Sequence, residues 1–327
     1  MMASIPRQFF RLHAAAISAV CVFLALGCVH LHAQVNFSQV KVLRVAPEQT
    51  DAAIATVHGP NIAVYDPQVA SNHRLFVFLV GTGAKAESSL TIDSAFAGWG
   101  YRAVSLDYEN TVIAASCVHS TDVVCFDNYR DEIVTGDAVS AKIEVNRANS
   151  ILSRLQKLLV YLAQRDPKGG WSEFITDGQP DWSRIVIAGH SQGSGHAAYI
   201  GKMFRVDRVL MFSGPQDYLD GFDKPAPWQG RTSATPASRY FAFLNVNDPF
   251  NVHNQIANCA LLMGLSKPEP LMVDAGKDAQ GDQIQGDHQI LVNDLTTGAH
   301  GSTLRPQFEN VWKYMVTAGA VQAASAR

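Results

Sequence analysis

The chain has 327 residues, 47% of them hydrophobic and 17% charged, with a formal net charge of −3. That balance gives no basic footprint for nucleic acid and no polybasic surface for a membrane. It also excludes a charge-rich disordered chain, and the length suits one large α/β domain or two small ones.

Residues 1–33 read as a secretory signal. Arg7 and Arg11 precede an apolar run, HAAAISAVCVFLALG, that is too short to make a stable membrane span. Leu31-His32-Ala33 offers small-residue cleavage before Gln34. Ala25-Leu26-Gly27-Cys28 resembles a bacterial lipoprotein site and is the alternative, with a lipid anchor on Cys28, though Ala25 and Leu26 fit that pattern poorly. The expectation is a secreted or periplasmic protein whose domain spans residues 34–327.

Val40–Val45 and Asn61–Tyr65 read as leading strands, arranged as an antiparallel hairpin. RLFVFLV, Arg74–Val80, is a central strand ending in Gly81-Thr82-Gly83-Ala84, and a short helix around residues 88–98 leads to a strand at Tyr101–Leu106. Residues 110–136 read as a long connection. In it Cys117 and Cys125 bracket VHSTDVV, the pattern of a small disulfide-closed loop in an oxidising compartment. Such a closure is worth about 2–3 kcal/mol in the chain-entropy picture. Cys259 sits in an apolar run as a core thiol, and no Cys/His spacing resembles a zinc site.

An amphipathic helix is predicted over about residues 140–165, with Ile151, Leu155, Leu158 and Leu162 at helical spacing. Apolar strands follow at Ile185–Ala188, Val206–Phe212 and Tyr240–Val246, with weaker ones at 271–273 and 288–292, and a closing helix at 305–316. This alternation predicts an α/β fold, a mostly parallel central sheet with helices on both faces.

The strand at 185–188 runs into Gly189-His190-Ser191-Gln192-Gly193 and then into a helical segment. A serine hydroxyl needs a base, a group that orients the base, and donors for the oxyanion. A sharp strand-to-helix turn lifts Oγ out of the sheet and leaves the first helical amides free to meet developing charge. The turn leaves little room two residues before and after the serine, hence the two glycines.

At this point the chain resembles the α/β-hydrolase superfamily, as a secreted serine esterase-like member. The resemblance implies partners in the chain order Ser, acid, His. It points to Asp248 as the acid, after the strand RYFAFLNV, with Asp217 as the alternative. His300, in the small-residue loop TGAHGS, is the expected base, with His288 as the alternative. His253 violates the order, His196 reads as structural, and His190 and Trp228 are pocket candidates. For the oxyanion hole the resemblance implies Gln192 with Thr82 or Gly83. Residues 214–239 lie where this superfamily inserts caps and read as a small lid or pocket rim. The implied activity is cleavage of a carboxylic ester, small or polymeric, through an acyl-enzyme on Ser191, with no metal or organic cofactor. The alternatives are a non-catalytic binding protein on the same fold, or an amidase or peptidase with the same triad.

Overall fold

The computed structural model describes residues 39–274 and 284–319. The signal segment and the alternative anchor at Cys28 lie outside the described residues. No described helix is long and apolar enough to cross a membrane.

Nine strands form one sheet: β1 (Lys41–Val45), β2 (Asn61–Tyr65), β3 (Leu75–Leu79), β4 (Arg102–Leu106), β5 (Ile185–His190), β6 (Arg208–Phe212), β7 (Tyr240–Asn245), β8 (Leu271–Met272) and β9 (Ile290–Asn293). Their order across the sheet is β1-β2-β4-β3-β5-β6-β7-β9-β8. β1 and β2 form the expected antiparallel hairpin, β2 pairs antiparallel with β4, and every other pairing is parallel. β3, β5 and β6 are buried along nearly their whole length, as strands covered on both faces must be.

Among the described residues, six α-helices of nine or more residues cover the sheet: α1 (Leu90–Gly98), α2 (Cys125–Thr135), α3 (Ile151–Arg165), α4 (Gln192–Met203), α5 (Val252–Met263) and α6 (Glu309–Thr317). α2 packs against α3 and α4. α6 reaches α1 instead, with Lys313 Nζ 4.5 Å from the centroid of the Trp99 ring just past α1. The result is an α/β-hydrolase fold, with the mostly parallel sheet and the helix after β5 that the sequence predicted.

Two local expectations need correction. The connection at 110–136 contains α2, an eleven-residue helix stopped by Gly136 at φ 84°. Its inward face carries Asp127, Arg130 and Glu132 as well as Phe126, Tyr129 and Ile133, so no clean apolar stripe marks it. The helix predicted at 140–165 begins only at Ile151, with the Ser150 side chain accepting from the Ser153 N–H. Upstream, the Glu132 carboxylate accepts from the N–H groups of Val139, Ser140 and Val145. That carboxylate offers the backbone partners a helix would otherwise supply, so the segment stays irregular.

Candidate active site

β5 ends at His190 and α4 begins at Gln192, so Ser191 alone makes the turn, at φ 56° and ψ −119°. A non-glycine residue in this region costs about 1–3 kcal/mol and persists only where the surroundings impose it. Here they do. A Cβ on Gly193 would lie 2.0 Å from Leu79 O, and one on Gly189 would lie 2.2 Å from the Gly193 carbonyl. The turn is thus clamped between β3 and its own helix.

The loop after β3 rests on this turn. A Cβ on Gly81 would stand 3.2 Å from Ser191 Cβ, and Thr82 Oγ1 donates to Gln192 Oε1 at 2.7 Å. As the first residue of α4, Gln192 has an amide with no intrahelical partner. The Thr82 amide has no hydrogen-bond acceptor among the described residues. Gly83 is different: its N–H donates to Asn110 O at 3.1 Å, which withdraws it as an oxyanion donor.

Asp248 follows β7, in a turn where its N–H donates to Asn245 O and its Oδ1 accepts from the Phe250 N–H at 2.9 Å. Its Oδ2 lies 2.8 Å from His300 Nδ1. A carboxylate can only accept, so Nδ1 carries a proton there, and in the neutral tautomer that this selects, Nε2 is the acceptor. Burial works to raise the Asp248 pKa. The hydrogen bonds from His300 and from the Phe250 amide outweigh it and hold the carboxyl below its ordinary value.

The Asp248 and His300 loops share buried polar footings. Asn245 Nδ2, at the end of β7, donates to Asn293 Oδ1 at the end of β9 and to Ser302 Oγ in the His300 loop. The His300 carbonyl accepts from His190 Nε2 at 2.9 Å and from Ser213 Oγ at 2.6 Å. The His300 loop is therefore tied both to the residue before Ser191 and to the end of β6. Its ring lies between His190 and Phe250, at 4.9 and 4.7 Å between centroids.

Ser191 Oγ accepts from Gln216 Nε2 at 3.3 Å, and no hydrogen bond joins it to the His300 imidazole. The sequence reading missed Gln216. It stands just past the C-terminal end of β6, the strand beside β5, where open α/β sheets place their ligand crevice. That position was its one available signal.

Gln216 also lines a cavity of about 240 Å³ together with Val118, Tyr218, Phe250, Asn251 and Asn254. One side of this cavity belongs to the loop closed by the Cys117–Cys125 disulfide. Its opposite rim is the start of the 214–239 segment, tied to the first by Asp220 N–H donating to Val118 O.

The alternative candidates fall elsewhere. Asp217 is fully buried and pairs bidentately with Arg130 at 2.6 and 2.9 Å. It also accepts the Trp228 indole N–H at 2.9 Å, so it is a structural anchor and not a partner of His300. Trp228 is itself fully buried in that anchor and lines no part of the cavity, so the segment is pinned at 226–229 and forms a rim only at its start. His288 precedes β9, at the N-terminal edge of the parallel strands. There it lines a separate cavity with Arg208 and Phe241. The length of the sheet separates it from Ser191. His190 is half-buried, and burial together with the neighbouring His300 lowers its pKa to about 4, so it is a neutral donor to the His300 carbonyl. The buried Cys259 thiol has its pKa raised by burial, as an inert core cysteine should.

No family model matches this chain, and no curated protein matches it. Among solved structures it is similar to a protein assigned as a dienelactone hydrolase from Klebsiella pneumoniae, at 8% identity and TM-score 0.44, over 85% of this chain and 97% of that one. It is also similar to a hyperthermophilic esterase from Pyrobaculum calidifontis, at 13% identity and TM-score 0.40, over 88% of this chain and 83% of that one. A cold-adapted esterase from an Arctic intertidal metagenomic library stands at the same identity and TM-score, over 88% and 94%. At these scores the fold assignment rests on this chain's own strand order and its turn at Ser191.

Proposed function

We propose that this chain is a serine hydrolase that cleaves carboxylic esters through an acyl-enzyme on Ser191. The observation that carries the reading is the 2.8 Å pair of Asp248 and His300, held at the same sheet edge as a serine at positive φ. Three elements of the chemistry then come from separate loops at the C-terminal ends of β5, β7 and β9.

In the proposed reaction His300 Nε2 takes the Ser191 hydroxyl proton as Oγ bonds to the acyl carbon. The carbonyl π pair moves onto oxygen, where the Gln192 and Thr82 amides receive it. The oxyanion collapses, the ester C–O bond breaks, and the Nε2 proton passes to the leaving alkoxide. Water repeats the sequence on the acyl-enzyme, giving the acid and free Ser191. Asp248 orients the ring and stabilises the imidazolium without taking its proton. The step requires Ser191 Oγ to turn from Gln216 toward Nε2, a closure that free enzymes commonly complete only with substrate bound.

The Cys117–Cys125 disulfide supports an exported protein in an oxidising compartment. Turnover of short-chain carboxylic esters tests the function. Wild type should hydrolyse them, while Ser191→Ala and His300→Ala should each lose about three or more orders of magnitude in kcat with an unchanged melting curve. A folded wild type with no turnover and no acyl-enzyme would support a binding protein instead.

A further inference from the structure

Gln216 is almost fully buried, yet its two amide ends are treated differently. Its nitrogen lies 3.0 Å from the Ser213 carbonyl and 3.3 Å from Ser191 Oγ. A main-chain carbonyl can only accept, so Nε2 must face it, and this fixes which way round the amide sits. Oε1 is thereby turned away from Ser213. It has no donor among the described residues, and unlike Gln229 Oε1 or Gln255 Oε1 it is not sealed from solvent. Gln216 lines the 240 Å³ cavity and reaches from it to Ser191 Oγ, so that acceptor is open to whatever enters there.

The reach of Oε1 follows from geometry. The two ends of an amide are about 2.3 Å apart and Nε2 lies 3.3 Å from Ser191 Oγ, so Oε1 lies at most about 5.6 Å from that oxygen. An attacked carbonyl carbon sits about 3–3.5 Å from the nucleophile, and a hydroxyl donor sits about 2.7–2.8 Å from its acceptor. Along the shortest path, a hydroxyl one or two carbons from the scissile carbonyl can satisfy both distances.

We propose that Gln216 is a specificity-determining residue whose Oε1 accepts a hydrogen bond from the acyl group, so that the preferred substrates are esters of 2- or 3-hydroxy acids. The proposal rests on the ester-hydrolase reading and narrows it. An oxygen acceptor in this position gains nothing from a plain alkyl chain or from an ether oxygen, neither of which can donate. Asn251 and Asn254 across the same cavity keep the surroundings of such a hydroxyl polar, while Phe250 and Val118 cover the carbon chain.

The test compares ethyl butyrate with ethyl 2- and 3-hydroxybutyrate and with their O-methyl ethers, the released acid being measured by chromatography. Wild type should favour at least one hydroxy ester over its own methyl ether by about 3- to 10-fold in kcat/KM, the span of one neutral hydrogen bond. In Gln216→Met that ratio should fall to near one, with butyrate turnover as the internal reference. Equal rates for hydroxy and methoxy esters in wild type would overturn the proposal, as would a preference that survives in Gln216→Met. The wild-type comparison decides the matter even if the variant fails to fold. Failure of the underlying reading looks different: no ester turns over, and Ser191 takes no acyl group.

Discussion

Arg130 and Asp217 form the most completely buried ion pair among the described residues, with both side chains at 0% exposure. Arg130 also donates Nη1 to Gln192 O at 2.7 Å, so it links the pair to the first turn of α4. A Cβ on Gly195 would lie 2.2 Å from the guanidinium, so the helix is shaped around it. Burial alone would lower the Arg130 pKa, but Asp217 more than compensates and raises it. Asp217→Asn removes that compensation and leaves a guanidinium in the core without a counter-charge. Breaking a buried pair from one side costs about 3–5 kcal/mol. At about 2–4 °C per kcal/mol for a domain of this size, the melting temperature should fall by on the order of 10 °C. Thermal unfolding followed by circular dichroism at pH 7 reads this directly. Arg130→Met combined with Asp217→Leu should recover much of the loss, because neither charge then remains. Below the shifted melting point, Asp217→Asn should still turn over esters. A melting temperature within about 2 °C of wild type would refute the argument. So would a folded Asp217→Asn protein that has lost turnover, which would make Asp217 the working acid.

Asp248→Asn should show the reverse pattern, a fall in kcat of several orders of magnitude with little change in melting temperature, because the amide carries no charge to stabilise the imidazolium and its NH2 can face Nδ1 and favour the wrong tautomer. Asp93 is fully buried, accepts only from Ser89 and Ser105, and has its pKa raised by burial to about 7. The folded state therefore holds a proton that the unfolded state has released between about pH 4 and 7, and stability should decline as pH rises through that window, by on the order of 4 kcal/mol. Asp93→Asn should flatten this slope in urea titrations taken at pH 4.5 and 7.5; an unchanged slope would discard the assignment. His196 is buried beside Tyr108 and Tyr129, and neither ring nitrogen has a partner. Burial holds its pKa well below the ordinary histidine value, so stability should be full above about pH 6.5 and fall as the pH drops below it. His196→Leu should raise stability at pH 7 by about 1 kcal/mol or more and lessen that acid sensitivity, and a destabilised variant would mean the imidazole has a role in the fold.

Much of this fold is legible in the sequence. The strands were legible because buried parallel strands are nearly continuous apolar runs, as in IVIAG and RVLMF. The turn at Ser191 was legible because its two close approaches admit only glycine at 189 and 193. What stayed hidden depended on polar groups meeting across the chain. α2 was missed because its inward face holds Arg130 and Glu132, whose partners lie up to 87 residues away. Strand position favours Asp248 over Asp217, but what separates them physically is that Arg130 claims one and His300 the other. Gly83 looked available until Asn110 supplied an acceptor for its N–H. Gln216 carried no motif, because its neighbours Ser191 and Ser213 come together only when β5 and β6 pair.

In the proposed mechanism the Ser191 hydroxyl is activated by the His300–Asp248 pair. Incubation with a fluorophosphonate, followed by digestion and mass spectrometry, tests it most directly. The account predicts a single adduct on the peptide that contains Ser191, formed at least about a hundredfold more slowly in His300→Ala. A folded wild-type protein that takes up no adduct, or an adduct on another residue, would contradict it.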